Sequence, residues 1–265
     1  MGYADWTEDG EKTAFGSVEI SQDTIVGDFD TIPVLDVSGM FSSNIAERKK
    51  FAGALRDACM RVGFFYIENH GIESGFVDEA FEWGRKFFDL PFEEKMEVYI
   101  DNTPHFRGYT PLHGSGKPDA EGKGNANEAF DFGHDPKLND DPNDKWVDTF
   151  MRGYNPWPRQ LPGFEKHLSS YYRRLRSFCR IMARSIALSL DLPEDYFEKY
   201  LTHPGCSSLI AHYPPQPPGS ILAKGLDAHT DAECRLFPFP PFLNDADAAQ
   251  SLPFWLLVQS EPLKY

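Results

Sequence analysis

The 265-residue chain is long enough for one large domain or two small ones around a sizeable core. Its 41% apolar and 14% aromatic content, with 22 phenylalanines, excludes a disordered polypeptide. The formal charge of −15 repels phosphate backbones, so nucleic acid is not expected as a partner, whereas a local arginine can still receive a small anion.

Residues 1–30 are polar, acidic and glycine-containing, and read as a loose leader. The first six residues lack the basic and apolar regions of a signal peptide, and Trp6 stands where a myristoylation motif needs Ser or Thr. A short β-like run follows at Ile32–Asp36. Asn44 and Glu47 have capping-box spacing, and Phe51, Leu55, Ala58 and Val62 recur at helical intervals until Gly63 ends the pattern. Phe64–Ile67 reads as a buried strand and Asn69-His70-Gly71 as its turn. A second helix is predicted over Ser74–Phe88 and a third, shorter one from Pro91.

Residues 113–126 and 135–148 are rich in loop-forming types and are expected to be solvated, with a strand at Glu128–Gly133 between them. Phe164, Leu168, Tyr171, Leu175, Phe178, Met182 and Ile186 form an apolar stripe on a helix of at least six turns, opposite Arg173, Arg174, Arg176 and Arg180. A short helix is predicted at Pro193–Leu201, then strands at Ser207–Tyr213 and Gly225–Asp231 on either side of a proline-rich turn. The four cysteines form no C-x-x-C pair and read as buried cytosolic thiols. The longest apolar run, Leu252–Val258, is too short to span a bilayer, so a cytoplasmic protein without a membrane partner is expected.

No nucleophile elbow, Walker loop or dinucleotide fingerprint is present, and Gly114-Ser115-Gly116-Lys117 has the wrong spacing for a phosphate loop. No acidic pair stands out as a general acid and base, and the many carboxylates read as a solvated surface. The chemistry-bearing segment is Ala228-His229-Thr230-Asp231. On an extended strand, positions i and i+2 face the same side about 6–7 Å apart, so His229 and Asp231 can offer an imidazole nitrogen and a carboxylate to one ion. This is two-thirds of the two-histidine, one-carboxylate set that leaves Fe(II) positions open. Taken by itself the tripeptide reads better as an exposed histidine beside a turn aspartate.

Context changes that balance. Gly63-Phe64-Phe65-Tyr66-Ile67-Glu68-Asn69-His70-Gly71-Ile72, Phe87-Phe88-Asp89-Leu90-Pro91, Glu93-Glu94-Lys95, Arg107-Gly108-Tyr109, Glu128–Gly133, Asn155-Pro156-Trp157-Pro158, His212-Tyr213-Pro214-Pro215 and Ala228–Asp231 occur in one order. Together they resemble the Fe(II)- and 2-oxoglutarate-dependent dioxygenases of the isopenicillin-N-synthase-like branch, over about residues 32–234. The resemblance implies an α+β protein: a mixed helical N-terminal region, then a double-stranded β-helix (jelly roll) core that is incomplete here. It divides the chain into a leader (1–30), an N-terminal domain (31–150), the long helix and start of the dioxygenase domain (151–234) and a divergent tail (235–265).

The resemblance also implies His229 and Asp231 as iron ligands and Tyr213 as a 2-oxoglutarate contact, although Ala211 and His212 replace the Asn and Tyr usual beside it. It assigns His70 a structural role, and leaves Tyr109 and Phe130 open between the substrate side and core packing. Fe(II), 2-oxoglutarate and O₂, with ascorbate as an optional reductant, are the implied cofactors, and a small organic molecule, as in secondary metabolism, the implied substrate. A 2-oxoglutarate-independent oxidase is a variant of this reading.

After Cys234 the family's glycine-rich strand, distal histidine ligand and R-x-S have no counterpart. Residues 235–265 contain neither His nor Gly, and Pro238, Pro240, Pro241, Pro253 and Pro262 oppose central strands. The expectation is a shifted frame, a retained intron or a truncation. Arg235 as a substitute clamp, and Asp245 or Asp247 as a third ligand, lie in no matching motif. The chain is expected to turn over poorly. The alternative, from another class, is a non-catalytic fragment that binds metal or a partner. Oligomeric state is not legible.

Overall fold

A computed structural model describes residues 31–118, 122–138, 153–201, 207–215, 225, 236–238 and 252–256. Strands β1 (Val34–Asp36) and β2 (Phe65–Glu68) run parallel, joined by helix α1 (Ile45–Arg61). Helices α2 (Ser74–Phe88) and α3 (Phe92–Met96) follow, then strands β3 (Gly108–Thr110) and β4 (Glu128–Gly133), helix α4 (Phe164–Ser189) and strand β5 (Ser207–His212). β3, β4 and β5 form an antiparallel sheet with β4 in the middle. β6 (Leu236–Pro238) and β7 (Leu252–Leu256) extend the first sheet in the order β1-β2-β7-β6. The mixture of helices and sheets agrees with the expected α+β class.

Local chemistry sets the helix limits. The Asn44 side chain accepts a hydrogen bond from the Ala46 amide at 2.9 Å, satisfying one orphan donor of α1. The reciprocal half of the expected capping box does not form: the Asn44 amide donates to Ser42 Oγ at 3.1 Å, leaving Glu47 outside the cap. Gly63 adopts φ 88° and its amide bonds the Ala58 carbonyl at 3.1 Å, closing the helix in a conformation that suits a residue without a Cβ. α2 has the predicted limits, and α3 starts one residue after Pro91, which caps it.

The apolar stripe of α4 is buried from Phe164 through Met182, whereas Ile186 is half-buried. Its arginine face is not simply solvated. Arg174 Nη2 donates to the Gly71 carbonyl at 2.7 Å, and Arg180 Nη2 to that of Leu201 at 3.1 Å. α4 packs on α1 and α2. Between α2, α4 and β4 lies an aromatic core in which the Phe87 ring centroid is 4.9 Å from Phe130 and 5.3 Å from Phe164. All three side chains are fully buried, each contributing about 2–3 kcal/mol by transfer from water.

Other expectations are corrected. Residues 193–201 form successive tight turns and one 3₁₀ turn (Glu198–Tyr200), with i to i+3 bonds such as Tyr196 N to Pro193 O at 2.9 Å. A segment so short, with no amide hydrogen at Pro193, cannot offset the cost of nucleating an α-helix. In the 113–126 loop, Asn125 and Ala126 are buried rather than solvated, and so is Asn127 just beyond it. Pro253 sits within β7, which pairs on both sides; the proline removes one ladder donor while the other residues keep the pairing. Cys59 and Cys179 are partly rather than fully buried free thiols, and burial raises the Cys59 thiol to about 11. Cys206 and Cys234 lie outside the described residues. Among the described residues no helix is long and apolar enough to cross a membrane.

Candidate functional site

The site residues predicted from sequence divide into two groups. His229 and Asp231 lie outside the described residues, as do Arg235, Asp245 and Asp247. Among the described residues no group of three His, Cys, Asp or Glu side chains is placed to hold a metal. Tyr213 is described: it follows β5 and is 38% exposed. Its ring lies beside Gly225, where an added Cβ would meet Tyr213 Cδ1 and Cε1 at 3.3 Å. Gly225 precedes His229 by four residues. An exposed phenol at this position is chemically suited to donate a hydrogen bond to a carboxylate.

The residue before Tyr213, His212, is held from β4. Glu128 and His212 are direct partners across the β4–β5 ladder, and His212 Nδ1 lies 2.9 Å from Glu128 Oε1. The other carboxylate oxygen, Oε2, accepts from Lys95 Nζ at 2.7 Å and from the Tyr109 hydroxyl at 2.6 Å. Lys95 Nζ also donates to the Phe88 carbonyl at 3.0 Å. A buried carboxylate thus gathers α3, β3 and β5 onto the end of β4. Burial raises the Glu128 acid, but the hydrogen bonds from Lys95, Tyr109 and His212 outweigh it and hold the group below the usual carboxylate range. Burial, reinforced by the bond to Glu128, pushes the Tyr109 phenol upward.

Asn127, adjacent to Glu128, is also buried, and its Nδ2 donates to the Gly225 carbonyl at 2.8 Å. The sequence reading missed this network because its members are far apart along the chain and no spacing rule connects them. The Arg107-Gly108-Tyr109 and Glu128–Gly133 segments were the available signal. Tyr109 and Phe130, left open in the sequence, are both packing residues. Tyr109 is buried and spent on Glu128, and Phe130 packs among Phe87, Phe132, Trp157 and Phe164. His70 is structural as expected: its Nδ1 accepts from the Ile72 amide at 3.1 Å, and burial lowers its proton affinity.

Comparison with known proteins places this geometry in context. The family model described as "non-haem dioxygenase in morphine synthesis N-terminal" matches residues 32–160. Azadirone synthase LFS of Melia azedarach is 40% identical over 148 residues, 55% of this chain and 43% of that protein. The 2-oxoglutarate-Fe(II) type oxidoreductase ppzC of Metarhizium majus is 30% identical over 207 residues, 75% of this chain and 55% of that protein. The chain spans about half the length of the curated relatives it matches. Among solved structures, the C-terminally truncated T7H of Neurospora crassa in apo form superposes with a TM-score of 0.61 at 22% identity, covering 92% of this chain and 87% of that one. At that identity the likeness concerns the fold.

Proposed function

The chain belongs to the 2-oxoglutarate-dependent dioxygenase family, and from this premise we propose that it holds Fe(II) on His229 and Asp231, and 2-oxoglutarate beside Tyr213, as part of an oxidoreductase acting on a small organic molecule. The observation that carries the reading is the His229-x-Asp231 pair in a chain of this family, four residues beyond a glycine packed on Tyr213. The donor types fit the group: imidazole and carboxylate suit ferrous iron, and a phenol suits a carboxylate ligand. When bound, iron and 2-oxoglutarate supply the oxidising chemistry, in which O₂ and 2-oxoglutarate give succinate and CO₂ while the substrate is hydroxylated, desaturated or ring-closed.

The protein's own part is positioning. Glu128 fixes His212, and with it the backbone that carries Tyr213; the Asp231 carboxylate lowers the net charge of the ion. The jelly-roll core, incomplete over these residues, and the division at residues 150 and 234 belong to the same reading. Small hydrophobic or amphipathic organic molecules, as in secondary metabolism, are the substrate class of this reading.

Residues 235–265 hold no histidine, so the family's distal ligand has no counterpart there. That observation favours a second reading, a binding fragment with little turnover. The test is to supply the purified chain with Fe(II), 2-oxoglutarate, ascorbate and O₂, and to measure 2-oxoglutarate binding and succinate together. Metal-dependent, saturable binding with little succinate is expected. Absence of such binding overturns the assignment of the site, and robust succinate formation overturns the expectation of poor turnover.

A further inference from the structure

We infer that the groove between α1 and the C-terminal end of α4 is a binding site for a small organic acid, whose carboxylate meets Lys49 and Arg56 and whose apolar body rests on Leu188 and Leu192. The groove has a volume of about 260 Å³, and none of its lining residues belongs to the candidate site already described. Lys49, Gly53 and Arg56 stand four and then three residues apart, so they share one face of α1, with the glycine between the two cations. Gly53 is the first sign that the groove is built. It lies inside a 17-residue helix, where glycine is a poor helix former. A Cβ added there would meet no atom within 4 Å, so no close approach within the fold calls for its absence. What the missing side chain does is leave the floor of the groove open.

The second sign is charge. Arg56 Nη1 donates to the Ser189 carbonyl and to Asp191 Oδ2, both at 2.8 Å. Both bonds use the same nitrogen, which leaves donors on the rest of the guanidinium for a ligand oxygen. Lys49 is exposed and makes neither a hydrogen bond nor an ion pair among the described residues. Two cations therefore face one carboxylate, and the groove is locally positive in a chain of formal charge −15. One net positive charge beside two half-buried leucines suits a monoanion with an apolar body better than a phosphate dianion. The walls are held firmly. Arg48 Nε and Nη2 bond the two Glu194 oxygens at 2.7 and 2.8 Å, and the Leu192 amide closes on the Ala187 carbonyl at 2.9 Å. A groove formed in advance loses little affinity to ordering.

The experiment titrates hexanoate into the full chain and follows the Gly53 amide and the Leu188 and Leu192 methyl groups by NMR. Saturable shifts at these three residues are expected, with a Kd in the millimolar range. Hexanol, with the same apolar body and no charge, is expected to bind about tenfold more weakly, the scale of one charge-assisted hydrogen bond. Lys49→Gln is expected to weaken hexanoate by a similar factor. Gly53→Leu fills the floor of the groove and is expected to abolish the shifts at Leu188 and Leu192. Its thermal midpoint should stay level or rise, because leucine is the better helix former and meets no neighbour at Cβ.

Lys166→Gln is the control. Lys166 is exposed near the opposite end of α4, so its loss changes the net charge equally without touching the groove. Hexanoate affinity is expected to stay within about twofold in this variant. Equal weakening by Lys49→Gln and Lys166→Gln would mean diffuse attraction to the surface and overturns the inference. Shifts that do not saturate, or undiminished binding in Gly53→Leu, overturn it as well. Inorganic phosphate held at these residues as tightly as hexanoate overturns the assignment to an organic acid.

Discussion

Glu128 shows how one buried carboxylate can tie three elements to a strand. Its two oxygens take hydrogen bonds from Lys95, Tyr109 and His212, which are 33, 19 and 84 residues away along the chain. Glu128→Gln keeps the shape but leaves Lys95 buried without its counter-charge, and is expected to cost about 3 kcal/mol in urea unfolding. Because Glu128 is held below its ordinary value of 4.5, its contribution is complete above that pH and is lost as pH falls through the lower folded value. His70 adds a separate window. Burial lowers it from 6.5, so its neutral form favours the fold, and stability declines as pH drops below about 6.5. The urea midpoint should therefore fall in two stages on acidification, the first blunted in His70→Asn and the second in Glu128→Gln. A single stage, unaltered by either change, would contradict both attributions. The turn at His70 was legible because turns are local, its structural role came from the family resemblance, and the role of Glu128 was hidden because charge pairing across strands leaves no periodic trace.

At the scale of elements, legibility follows the range of the forces involved. The limits of α2 and β4, and the start of α4, were readable because side-chain period and flanking turn residues are local properties. Residues 193–201 were read as helix from the same kind of pattern and form tight turns instead, since apolar spacing over so few residues does not say which backbone bonds close. The position of β7 between β2 and β6 was not legible either: strand pairing across most of the chain depends on what else competes for the β2 edge. The α1 cap gives a direct test of element-level reasoning. Asn44→Ala removes the acceptor of the Ala46 amide and should cost about 1 kcal/mol. Glu47→Ala should cost little, because Ser42 rather than Glu47 takes the Asn44 amide. Equal losses in thermal unfolding from the two substitutions would show that the capping box closes in solution after all.

For the molecule as a whole, the proposed site for iron and 2-oxoglutarate has a signature in stability. A ligand that binds only the folded state adds about 2.7 kcal/mol at a hundredfold excess over Kd. In a chain of this size each kcal/mol is worth roughly 2–4 °C in Tm, so Mn(II) with 2-oxoglutarate should raise Tm by about 5–10 °C. An acidic chain complicates the reading. With a formal charge of −15, any divalent cation relieves self-repulsion and stabilises the fold without a site. The two effects separate by salt and by residue. The diffuse effect is reproduced by Mg(II) and collapses as ionic strength shortens the screening length, whereas coordination by imidazole and carboxylate persists. His229→Ala or Asp231→Ala should abolish the salt-resistant part. Tyr213→Phe should retain the metal increment and lose most of the additional rise from 2-oxoglutarate. A shift of equal size in all four proteins, matched by Mg(II) and erased by salt, would mean that the chain attracts cations by its overall charge and has no ferrous site at residues 229–231.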